Sequence, residues 1–287
     1  MNAETKTAAD DWDVVITAKD RLLTFDFKEL YKCRDLIRVL IRRDFVAVYK
    51  QTILGPLWFL FQPIMSTVMY MFVFGRIANL GTDQIPRPLF YFSGTMLWTF
   101  FATTLQKSSD TFIVNAGLFG KVYFPRFSMP IVYTVNNFFT LCIQFVLLLA
   151  IYVAYLLFGF PFRPTWWLLA VPVLVAQTAM LGLGIGIIVS ALTTRYRDLR
   201  NLVHFGLQML MFATPVVYPL SEVPEQLRPI VMLNPLTPVI ELFRHSLLGG
   251  GQNDLGLWAA SMGVTLAVFW LGMRIFNHNE RTFIDVV

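Results

Sequence analysis

Across residues 129–194 the chain carries one charged side chain, Arg163. Soluble chains average about one charged residue in four, so a run this long with a single cation belongs in lipid. The whole sequence agrees: 56% of its residues are hydrophobic, 14% are charged and 27 are Phe. Six apolar stretches are long enough, or nearly so, to cross a hydrocarbon core about 30 Å thick as helices. They are residues 57–74, extended backward by Ile53 and Leu54, then 89–105, 129–158, 166–192, 202–217 and 257–276. The expected fold class is an all-α integral membrane protein with six transmembrane helices. Gly182, Gly184 and Gly186 give the fourth stretch a spacing that lets another helix approach closely. The fifth is short and contains His204 and Gln208.

Charge placement sets the orientation. With a cytoplasmic N-terminus, the inside segments are 1–56, 106–128, 193–201 and 274–287, and they hold 18 of the 23 Lys and Arg residues. Arg76, Arg87, Arg163, Arg228 and Arg244 remain outside. That asymmetry follows the positive-inside rule and puts both termini in the cytoplasm. The net charge of +5 is no argument for nucleic acid, because the cations flank apolar spans. No apolar core follows Met1, so no cleavable signal peptide is expected. Cys33 and Cys142 lack the spacing of a disulfide framework or metal site.

Residues 28–63 change character midway. On a 3.6-residue period Leu30, Cys33, Ile37, Leu40, Ile41, Phe45 and Val48 share one face, while Lys32, Asp35, Arg38, Arg42 and Arg43 share the other. Such a helix suits a membrane surface, with cations meeting lipid phosphate. Gly55-Pro56 then punctuates the chain before the first apolar run. The expected organisation is an N-terminal tail at 1–27, an amphipathic interface helix at 28–52, a transmembrane domain at 53–276 and a C-terminal tail at 277–287.

Two connections are more than linkers. The loop at 106–128 mixes apolar residues with Lys107, Asp110, Lys121 and Arg126, and holds Phe119, Tyr123 and Phe124. Exposed aromatic residues in a basic setting fit docking onto another protein, and they equally fit the headgroup belt. The segment at 219–248 has five prolines between Tyr218 and Glu241 yet is too apolar for a solvated loop. It reads as re-entrant helices, tolerated only against protein or a water-filled cavity, or as a compact cap.

Several chemistries are absent from the sequence. There is no GxxxxGK[ST] phosphate loop, HExxH, Cys/His cluster or GxSxG, so no catalytic residues and no metal site are expected. Ion-coupled transporters place ionisable groups in their spans, and here only Glu241 could serve. A transporter so built needs a partner to supply energy.

Four stretches carry a family resemblance: RRDFVAVYKQTILGPLWFLFQPIMSTVMYMFVFG at 42–75, NAGLFGKVYFPRFSMP at 115–130, RYRDLRNLVHFGLQMLMFATPVVYP at 195–219 and LNPLTPVIELFR at 233–244. The chain resembles the membrane subunit of ABC-type polysaccharide exporters, the group that moves lipid-linked O-antigen, capsule or teichoic acid chains. The resemblance implies six spans, an interface helix, a cytoplasmic coupling helix and re-entrant helices before the last span. It implies a homodimer in a bacterial inner membrane, with two separate ATPase subunits that bind ATP and Mg, so that this chain has no cofactor of its own. A coupling helix at 115–123 would use Asn115, Leu118, Phe119, Lys121 and Tyr123, with Pro125 and Arg126 at its exit. Arg42, Arg43 and Asp44 would contact lipid phosphate, the ATPase or both, and a substrate's phosphate or pyrophosphate head could be met by Arg38, Arg42 or Lys50. Aromatic faces stack on sugars, and the candidate glycan path is Tyr49, Trp58, Phe59, Tyr70, Tyr91, Trp98 and Phe101. The same scaffold also admits an exporter of a small molecule or lipid, and a membrane assembly protein without cargo remains a separate class.

Overall fold

A computed structural model describes residues 27–50, 55–120, 124–162, 165–193, 196 and 198–282. The described residues are helical, without strands. In order they form α1 (Phe27–Lys32), α2 (Arg34–Tyr49), a single turn (Gly55–Leu57) and α3 (Trp58–Tyr70), which continues as a π-helix over Met71–Ile77. Then come α4 (Arg87–Ser109), α5 (Thr111–Val114), α6 (Ala116–Phe119) and α7 (Ser128–Leu157). A 3-10 turn (Trp166–Ala170) leads into α8 (Val171–Thr193), followed by α9 (Leu199–Phe212), α10 (Arg228–Leu233), α11 (Leu236–Leu248) and α12 (Leu255–Thr282).

Among the described residues four helical stretches are long and apolar enough to cross a membrane: Trp58–Ile77, Ser128–Leu157, Trp166–Thr193 and Leu255–Asn277. The expected spans at 89–105 and 202–217 correspond to α4 and α9, which differ from the rest. Helix α4 has 23 residues, a length of about 34 Å at 1.5 Å per residue, but it is the hub of the molecule. It packs against α8, α7, α3, α11 and α9. Neighbours rather than lipid cover it, so it tolerates Ser93, Thr95, Thr104, Ser108 and Ser109, all buried. Their hydroxyls can turn back to the preceding turn: Thr95 donates to Tyr91 O at 2.9 Å and Ser109 to Gln106 O at 2.7 Å.

Helix α8 lies between α4 and α12, and its glycines explain how. A Cβ on Gly186 would stand 2.7 Å from Leu105 O, and one on Gly182 would stand 3.0 Å from Phe101 O, so one face presses on α4. A Cβ on Gly184 would stand 2.9 Å from the Phe269 backbone, so another face presses on α12. A polar clasp closes the far side. Gln177 donates to Ser261 at 2.9 Å, Trp258 donates to Gln177 at 3.0 Å, and Ser261 donates to Pro235 O at 2.6 Å.

The segment at 219–248 folds as a short turn followed by α10 and α11. Helix α11 packs on α4, α8, α12 and the turn before α8. Two corrections concern the ends of elements. Residues 277–282, expected in a C-terminal tail, continue α12, because no Gly or Pro interrupts the polar residues after the apolar run. The interface helix, expected as one piece over 28–52, breaks at Cys33 into α1 and α2. Residues 51 and 52, the tail at 1–26 and residues 283–287 lie outside the described residues.

Candidate functional site

Helices α3, α4 and α7 diverge around a cleft of about 580 Å³. Three physical surfaces meet in it. Trp58, Phe59, Tyr70, Trp98 and Phe100 supply aromatic rings. Gln62, Gln106, Asn137 and Gln144 supply amides, and Ser66, Thr95, Thr99, Thr103 and Thr140 supply hydroxyls. Among the described residues Lys107 is the single charged one in the lining, and none of them is a carboxylate. On α4 positions 95, 98, 99, 102, 103, 106 and 107 recur every three or four residues, so one stripe of the hub helix forms a wall, with Phe100 at its edge.

The polar groups are ordered by contacts between helices. Lys107 Nζ donates to Asn137 Oδ1 at 3.0 Å, and Asn137 Nδ2 donates to Thr104 Oγ1 at 3.2 Å. Gln106 and Gln208 flank the His204 ring at 3.1 and 3.3 Å, which ties α4 to α9. Gln144 donates to Phe59 O at 3.2 Å. A wall of rings, amides and hydroxyls around one cation can stack on and hydrogen-bond to a polyhydroxylated ligand carrying negative charge.

The structure divides the candidate glycan path. Trp58, Phe59, Tyr70 and Trp98 come together on the cleft. Tyr91 and Phe101 do not: they are 0% and 1% exposed and belong to the packed core around α4. Phe101 faces α8, where its ring lies beside Gly182. The side chain of Tyr49 lies outside the described residues, as do Lys121 and Tyr123.

The loop at 106–128 departs from its expected form. Within 115–123 the described residues form one four-residue helix, α6, preceded by a second, α5, with Asn115 between them, and residues 121–123 lie outside the described residues. Asn115 is buried and donates to Thr111 O at 2.8 Å and to Tyr133 Oη at 2.7 Å, which anchors the loop to α7. The expectation of outward-facing aromatic residues is corrected for Phe119 and Phe124. Phe124 is 5% exposed and packs with Leu40 of α2 and with Met129 and Val132 of α7. Phe119 is half-buried, with ring centroids 5.5 Å from Phe124 and 6.2 Å from Phe112. Phe112 in turn stacks on Phe276 of α12 at 5.0 Å. The loop is therefore a wedge between the interface helix and the last helix. Leu118 packs on the α2 side, and Arg126 lies over the Phe119 ring at 5.6 Å beside half-buried Pro125. Val114 and Gly117 face outward.

At the loop's start, Asp110 pairs with Arg200 at 3.1 Å and joins it to α9. Burial pushes the Asp110 carboxyl above its usual range, and Arg200 pulls it back. On α2, Leu36, Ile37, Leu40 and Ile41 turn inward while Arg38, Arg42 and Arg43 are exposed. Arg38 pairs with Asp35 at 3.3 Å and Arg43 with Asp44 at 2.7 Å. Lys50, just past the helix, is exposed.

Sequence reading missed one site. Arg244, assigned to the outer re-entrant segment without a role, is fully buried in α11. It donates to Pro215 O at 2.7 Å, Val216 O at 2.8 Å and Phe90 O at 3.3 Å, and pairs with Glu241 at 3.3 Å. Its guanidinium carbon lies 3.7 Å from the Phe90 ring centroid. The signal was an acid and a base three residues apart inside an apolar run, which one helical face brings together.

Comparison with known proteins places the chain among transporters. The profile of the ABC-2 type transporter family matches residues 35–248. An O-antigen export system permease protein, RfbA of Klebsiella pneumoniae, is 28% identical over 256 residues, 88% of this chain and 95% of its own length. RfbA of Myxococcus xanthus is 27% identical over 263 residues, 91% of this chain and 98% of its own. The polysialic acid transport protein KpsM of Escherichia coli is 23% identical over 252 residues, 86% of this chain and 95% of its own.

Proposed function

The chain belongs to the family of ABC-2 type transporters, and from that premise we propose that it is the membrane subunit of an ATP-driven exporter of lipid-linked polysaccharide. The observation that carries the reading is the cleft at α3, α4 and α7, whose rings, amides and hydroxyls suit a sugar chain. The near full-length similarity to O-antigen export permeases supports the same substrate class.

The chain is the transport subunit and not itself an enzyme. In this reading it works as a homodimer in a bacterial inner membrane, with both termini cytoplasmic and two partner ATPases supplying hydrolysis. Helices α4 and α9 complete six spans. The hub helix is wrapped by protein and so need not be apolar outside, while α9, about 21 Å long at 14 residues, is continued by the turns after it. Helices α10 and α11 are the re-entrant pair.

The loop at 106–128 receives the force. An ATPase docked on its outward residues would press a wedge that touches α2 through Phe124 and α12 through Phe112. The exposed cations Arg38, Arg42, Arg43 and Lys50 would meet lipid phosphate or the ATPase. Motion of α2 relative to α7 would open the cleft toward the membrane, the side from which a lipid-borne glycan arrives.

The test is biochemical. The chain should co-purify with a phosphate-loop ATPase, and ATP turnover by the pair should rise when lipid-linked glycan is added. Turnover indifferent to glycan but stimulated by a small hydrophobic molecule would replace this reading with a different cargo.

A further inference from the structure

We propose that Lys107 is an anion subsite that receives the phosphate of the lipid carrier on which the glycan is borne. The inference rests on the exporter reading and names where the cargo's charged joint sits. The proposal starts from an imbalance. Among the described residues Lys107 is the one charged residue of the cleft, and no carboxylate lies in the lining to neutralise it. Asp44 is the acid whose charge reaches it, but Asp44 pairs with Arg43 at 2.7 Å. The ammonium's one hydrogen bond runs to Asn137 Oδ1 at 3.0 Å. An ammonium has three donors, so two remain for a ligand.

Lys107 itself is exposed, but the partner that holds it is packed. Asn137 is itself buried and fixed by Thr104 at 3.2 Å, so the ammonium is held from a packed element. Lys107 stands two residues before the end of α4, where the helix passes into the loop at 106–128. Under the proposed topology that end lies at the depth of the cytoplasmic headgroups. Beyond it the cleft continues along amides and hydroxyls toward Trp98 and Tyr70. A ligand with one anionic joint, an apolar tail on the membrane side and a polyhydroxylated chain matches that order. A compact point charge suits phosphate oxygens, and a charge-assisted bond there is about twice as strong as a neutral one.

The test uses the full permease purified in detergent with its ATPase, as wild type, Lys107→Gln and Lys107→Arg. Three probes are titrated: a short-chain isoprenyl pyrophosphate bearing one N-acetylhexosamine, the same isoprenyl glycoside without phosphate, and phosphatidylglycerol as competitor. Lys107→Gln should bind the pyrophosphate probe about tenfold more weakly, as loss of a charge-assisted bond requires. Lys107→Arg should stay within about threefold of wild type. All three proteins should bind the neutral glycoside alike, and their unfolding midpoints should coincide. Equal binding of the pyrophosphate probe by wild type and Lys107→Gln overturns the subsite alone. Equal displacement by phosphatidylglycerol overturns it too, by assigning Lys107 to bulk lipid phosphate. Wild type that binds neither glycan probe and shows no stimulated ATP turnover removes the exporter reading and the subsite together.

Discussion

Two cations in this protein have opposite surroundings, one buried and one exposed. Arg244 is fully buried, and three carbonyl oxygens, one carboxylate and one aromatic face surround it, leaving only its Nε without a hydrogen-bond partner. Lys107 opens onto a cleft with one amide oxygen for company. A cation whose partners all come from its own chain serves the fold. It fastens α11 to the hub helix at Phe90 and to the turn after α9 at Pro215 and Val216. A cation left with donors to spare, in a lining whose described residues include no acid, serves a ligand.

The contrast can be broken by substitution, and the largest effect belongs to Arg244. Arg244→Ala removes the counter-charge of buried Glu241 and the donors to the Pro215 and Val216 carbonyls, and should cost about 3–5 kcal/mol, read as lost folded protein in denaturant titrations in detergent. An unchanged unfolding midpoint would mean that the cluster does not hold the fold. Gly94→Ala comes next. Its Cβ would stand 2.6 Å from Arg244 Nη2 and 2.7 Å from Val216 O, so overpacking should cost about 1–3 kcal/mol in the same titration. Phe119→Asp breaks ring contacts worth about 0.5–1.5 kcal/mol each. Its sharper signature should be ATP hydrolysis that continues without export, whereas normal export would show that the loop does not transmit force. Lys107→Gln should move stability least, by about 1 kcal/mol or less for one hydrogen bond, while export falls strongly. A large stability loss there would erase the distinction between the two cations.

Much of this architecture is legible in the sequence because hydrocarbon is an unforgiving solvent. The apolar runs marked α3, α7, α8 and α12, and the glycines of α8 mark two close approaches. Facing is harder. Trp98 and Phe101 lie on the same hub helix, three residues apart, yet one meets the cleft and the other meets α8. Composition is blind to that difference, because both are apolar rings in an apolar helix. Phe119 and Phe124 were expected outside because their loop is mixed in charge. They turn inward because Leu40 of α2 and, through Phe112, Phe276 of α12 offer apolar surface that is distant in sequence. Lys107 was legible only as a loop cation. Its place in the cleft appears once α4 and α7 are set side by side.

The account stands or falls on whether this chain moves cargo only with borrowed force. Vesicles containing the purified chain should be loaded with lipid-linked glycan and scored for glycan that reaches the opposite leaflet. The account predicts movement when the partner ATPase and ATP are both present, and none when either is withheld. Translocation by the chain alone would contradict it.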